Sequence, residues 1–130
     1  MILDFDRIER GETYSRPDLA DIWGYESYHA LARGVVTPAD DHKIILFVTE
    51  EKQGFQTQYQ DRLIGLHLMW EGPTDHYAED RMLNADRTDD EIHVFHRDKH
   101  HTDFTYLGQA EVVDCERHRD KPSAFVLRVC

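Results

Sequence analysis

Residues 91–97 read Glu91-Ile92-His93-Val94-Phe95-His96-Arg97. Side chains of a strand alternate between two faces, so Ile92, Val94 and His96 fall on one side and His93, Phe95 and Arg97 on the other. Neither side is purely polar, which predicts a strand packed on both faces. Similar runs, rich in β-branched and aromatic residues and separated by polar turns, occur at 34–37, 43–49, 62–70, 104–117 and 124–129. The segment 62–70 carries bulky groups on both faces and is expected to be a central strand.

Between these runs the pattern changes twice. Ser15-Arg16-Pro17-Asp18 has a capping serine followed by proline in the first turn, and Leu19, Ile22 and Trp23 follow at helical spacing before Gly24. That predicts a two-turn helix, with a second short turn over 25–31 and a third helical stretch within 77–85. The expected fold is therefore α+β and mostly β: a small barrel-like, largely antiparallel sheet of about six strands, PUA-like, with two or three short helices. Trp23, Phe47 and Phe125 are its clearest core positions.

The 130 residues are 40% hydrophobic and 32% charged, a globular composition expected to form a single domain spanning 1–130. No repeat, low-complexity tract or linker divides it. No apolar run approaches the roughly 18 residues of a membrane span, and MILDFDRIERGE lacks the apolar stretch of a signal peptide. A cytoplasmic location with no membrane partner is the expectation. Cys115 and Cys130 are the only cysteines, too few for a disulfide framework or a CxxC metal pair.

The net charge of −11 argues against a generic phosphate-binding surface, and protonating all nine histidines would still leave it negative. Any contact with nucleic acid must be local. There is no GxSxG elbow and no phosphate-cradling glycine loop, so acyl transfer and nucleotide hydrolysis have no support. The cluster His93, His96, His100, His101, Asp98 and Asp103 invites a zinc site. A solvated hairpin is preferred, because His93 and His96 should diverge and residues 98–103 sit where the chain must turn. Asp75, His76, Glu79 and Asp80 after Trp70-Glu71-Gly72 could serve a metal-dependent nuclease, but no nearby lysine completes the set. No catalytic residue, metal ligand or cofactor is therefore assigned.

What remains is aromatic residues beside hydrogen-bonding groups. Such a set can stack on an unstacked base and read its edge. The segments GETYSRPDLADIWG, IILFVTEEKQ, YQDRL, LMWEGPTDH, EDRM, EIHVFHRDKHH, FTYLGQAEVV and KPSAFVLRV occur in this order along nearly the whole chain. Together they resemble a prokaryotic domain of unresolved function found beside HNH restriction endonucleases and at the C-terminal end of some superfamily 2 helicases. Domains in those positions are similar to barrels that read modified bases, while a separate module cuts the DNA.

The resemblance implies a non-catalytic DNA-binding reader in a restriction or defence system, with a nuclease or helicase as partner. Tyr14, Arg16, Tyr59, Asp61, Trp70, His76 and Arg81 are its candidate residues. Arg16 and Arg81 would hold phosphate or base edges, the rings would stack, and Asp61 would accept from an exocyclic amine. For Tyr59, Asp61 and Trp70 the competing reading is that they anchor the barrel. Two other functions stay open: an acidic protein-interaction or regulatory domain, and a metal-dependent nuclease.

Overall fold

A computed structural model describes residues 3–51, 62–99 and 101–129. In chain order the elements are β1 (Thr13–Tyr14), α1 (Arg16–Trp23), a 3₁₀ turn (Tyr28–Leu31), β2 (Val35–Val36), β3 (Lys43–Glu51), β4 (Arg62–Ile64), β5 (His67–Glu71), α2 (Glu79–Leu83), β6 (Glu91–Lys99), β7 (Phe104–Glu116) and β8 (Ala124–Val129). The class is α+β and mostly β, as the sequence predicts. The strands form one mixed, largely antiparallel sheet in the order β2-β3-β6-β7-β8-β5-β4. Among the described residues this sheet stays open: β2 and β4 end the path and do not pair with each other, so the barrel is not formed.

Two features set the architecture. The first is β7, thirteen residues long, whose opening residues pair with β1 and β6 and whose later residues pair with β8. A register shift at Val94/Phe95 lies opposite Gly108, whose φ of 115° is open to glycine alone among common residues. The second is the pair β3–β6, the parallel pairing of the sheet, in which Ile44 meets Ile92 and Thr49 meets Arg97.

Alternation divides the core into two layers. On the front face Ile45, Phe47, Phe95, Phe104 and Tyr106 pack beneath Leu19, Ala20 and Trp23 of α1. On the back face Ile44, Leu46, Val48, Ile92, Val94, Leu68, Trp70, Phe125 and Leu127 pack with Met82 of α2. Trp23, Phe47 and Phe125 are all buried. α1 begins where its cap requires: the Asp18 amide donates to Ser15 Oγ, the Ser15 amide donates back to Asp18 Oδ2, and Gly24 closes the helix in the left-handed region.

The run 62–70 is not one central strand. Gly65, at φ 60°, turns the chain so that Ile64 pairs with His67 and Arg62 with Met69, making a hairpin at the sheet's end. Leu63, Leu68 and Trp70 face the back core, whereas Ile64, Leu66 and Met69 are exposed. The bulk on both sides of this segment reflects an outer face left open to solvent. Among the described residues no helix is long and apolar enough to cross a membrane.

Candidate functional site

The sheet separates the candidate residues. Tyr14 and Arg16 lie at the front; Trp70, His76 and Arg81 belong to the back and its connecting segments; Tyr59 and Asp61 lie outside the described residues. Tyr14 packs edge-on to Phe95, and its hydroxyl accepts the Glu9 amide at 2.9 Å. Trp70 is 6% exposed and packs against Phe125, so its ring belongs to the core and is not offered to a base.

His76 and Arg81 are held by acids. His76 Nδ1 sits 2.5 Å from Glu79 Oε2, and Nε2 sits 3.1 Å from the Arg119 carbonyl. The Glu79 hydrogen bond pushes the imidazole pKa up. Glu79, 2% exposed, also accepts from Ser123 Oγ and so ties α2 to the β7–β8 connection. Arg81 grips both oxygens of Asp90, at 2.8 and 3.2 Å, a pairing that raises its own pKa and lowers that of Asp90. The adjoining opening, about 710 Å³, has Asp40, Asp41 and Asp90 in its wall, which disfavours an anion.

The four histidines of the cluster read as a solvated hairpin rather than a zinc site also part. His93 is buried on the front face, stacked 4.0 Å from Phe5 and bonded to Glu91 and Tyr106, while His96 faces the back and Glu50. His101 is exposed, and His100 lies outside the described residues.

Arg16 is different. Its Nε donates to the Leu31 carbonyl at 2.6 Å, and its guanidinium lies 4.7 Å from the Phe47 ring centre and 5.0 Å from that of Phe104. Arg97 covers the same Phe104 ring at 4.2 Å, donating to Thr49 Oγ1 at 2.8 Å and the Thr102 carbonyl at 3.1 Å. Every acceptor here is neutral. Among the described residues neither guanidinium forms an ion pair. Burial, and then the charge of Arg97, bring Arg16 down to about 10; burial also lowers Arg97. Both remain cationic at neutral pH.

Two guanidiniums that form no ion pair among the described residues share one aromatic ring, an arrangement chemically able to accept an anion. Stacking fixes their planes, and the terminal amino groups of Arg16 meet no described acceptor. An open cavity of about 290 Å³ lies beside Arg97, walled by His96, Lys99, Thr102 and Thr105 and also by the acids Asp98 and Asp103; Arg16 is not part of its lining. Arg97 is the residue the sequence reading left out of the site. Its signal was present in the stripe His93, Phe95, Arg97, but only the parallel register brings that stripe beneath the first turn of α1.

The chain matches the family described as "Domain of unknown function (DUF3427)" over residues 8–125. Among curated proteins, none matches it. The matched span runs from ahead of β1 into β8 and includes the arginine pair and both core layers, so the chain belongs to the DUF3427 family.

Proposed function

We propose that this domain is a DNA-binding recognition module, associated with a restriction or defence nuclease or helicase, in which Arg16 and Arg97 together hold a backbone phosphate. The observation that carries the reading is an arginine pair that forms no ion pair among the described residues, in a chain of net charge −11. Two cations packed side by side repel, and an anion bridging them removes that penalty while gaining charge-assisted hydrogen bonds of about 1.5–3 kcal/mol each. Asp98 and Asp103 stand in the cavity beside Arg97, so the contact is confined to the guanidiniums themselves. Tyr28, 45% exposed and three residues before the carbonyl that Arg16 holds, offers a ring on which an extruded plain or modified base can stack.

Fluorescence anisotropy with duplexes bearing plain or modified cytosine or adenine, at 50 and 200 mM salt, tests this. Arg97→Ala should weaken binding to all duplexes alike and reduce the slope of log K against log salt by about 0.9, while Arg97→Lys retains the slope. No binding by the parent protein at 50 mM salt would exclude the reading. An unchanged slope in both Arg16→Ala and Arg97→Ala would exclude the site.

A further inference from the structure

On the back face, Glu50, His96 and Asp98 form a compact set, and His96 and Asp98 also line the cavity beside Arg97. The parallel register pairs Val48 with His96 and Thr49 with Arg97, and so sets Glu50 beside Asp98. Alternation then turns all three side chains to the side of Ile44, Leu46, Ile92 and Val94. One donor atom from each lies within 4.8 Å of the other two. His96 Nε2 is 2.9 Å from Glu50 Oε2, and the His96 side chain is 9% exposed. The other Glu50 oxygen accepts the Leu63 amide at 3.2 Å, which fixes the carboxylate from the neighbouring hairpin.

The set combines what metal coordination needs. A buried imidazole is aimed into the cluster, and its one hydrogen-bond partner among the described residues is the Glu50 carboxylate. Two acids from adjacent strands stand together, and Asp98 forms no ion pair among the described residues. Like charges at neighbouring strand positions repel unless a cation lies between them. The Leu63 amide supplies the outer support that orients a ligating carboxylate.

We propose that Glu50, His96 and Asp98 bind one divalent first-row transition ion through one imidazole nitrogen and two carboxylate oxygens. Three protein ligands with Asp98 at the exposed edge leave coordination positions open to water or to a ligand, as in reactive rather than purely structural sites. The competing arrangement is an imidazolium that itself provides the positive charge between the acids, in which case no metal enters.

Untagged full chain, stripped with chelator, is titrated with Co²⁺ followed by visible absorption, and with Zn²⁺ followed by calorimetry. One equivalent of Co²⁺ should bind with a visible band that Zn²⁺ displaces. Asp98→Asn, an exposed change that leaves the metal-free melting temperature in place, should weaken binding by about tenfold or more. His67→Asn, which alters an exposed histidine of β5, should leave it unchanged. Failure of the parent protein to bind Co²⁺ at millimolar concentration overturns the proposal, as does equal affinity in Asp98→Asn.

Discussion

At the scale of single residues, His93 shows how burial fixes a proton. The Glu91 carboxylate can only accept, so Nε2 of His93 carries the hydrogen and Nδ1 accepts from the Tyr106 hydroxyl, whose pKa burial pushes up to about 12. Burial, aided by Lys43, holds the His93 pKa below its usual value against the pull of Glu91. The unfolded chain therefore takes up this proton first. The contribution of His93 to stability is complete above the unfolded value near 6.5 and is lost as pH falls toward the lower folded pKa. Melting temperatures from pH 7 to 5 should fall less steeply in His93→Gln than in the parent. His76 acts in the opposite sense: its raised pKa adds stability below the unfolded value that disappears as pH climbs through the folded one. At Gly108, alanine would meet both a φ of 115° and Arg10 Nε at 2.8 Å. The arginine tip can move but the backbone cannot, so Gly108→Ala should cost about 1–3 kcal/mol in urea denaturation. Trp23 and Phe47 were readable as core because large rings in periodic apolar runs have few alternatives. The roles of His76 and Arg81 were not, because Asp90 and the Arg119 carbonyl reach them only after separate segments fold together.

At the scale of elements, local chemistry was legible and layer assignment was not. The start and end of α1 follow from a serine, a proline and a glycine, and Ser15→Ala should cost about 1 kcal/mol by removing the cap. Six strand regions were visible from composition and alternation. The division of 62–70 was hidden because Gly65 sits inside an apolar run, where it reads as a defect in one strand rather than as the turn between two. The hairpin yields a paired prediction by thermal or chemical denaturation. Leu66→Lys, at a 60% exposed position, should change stability by less than about 0.5 kcal/mol, whereas Leu68→Ala, fully buried one strand position away from His67, should cost about 2–5 kcal/mol.

For the whole molecule, net charge and local charge point in different directions, and composition reports only the first. An excess of acids predicted a poor phosphate binder. The fold nevertheless places two arginines on one ring, and among the described residues their hydrogen-bond acceptors are neutral, although Asp98 and Asp103 stand in the cavity beside Arg97. Half of that pair, Arg16, is a residue the sequence reading named, as the charged neighbour of Tyr14. The other half needed the β3–β6 register, which joins residues that no local pattern connects. The barrel expectation had a similar origin: strand count and spacing are alike for closed and open sheets, and closure depends on pairing between the first and last strands of the order.

That same parallel pairing has a temporal consequence. The Arg97–Thr49 bond spans 48 residues, so β3 leaves the ribosome long before its neighbour exists. Until Glu91 to Lys99 have been synthesised, Ile44 to Val48 lack the strand on which their hydrogen-bonding edge will close. Closure over so long a loop is entropically slow, and refolding in the millisecond-to-second range is expected in stopped-flow fluorescence of Trp23 and Trp70. A nascent chain halted at Asp90 should be a client for chaperones that shield apolar strands.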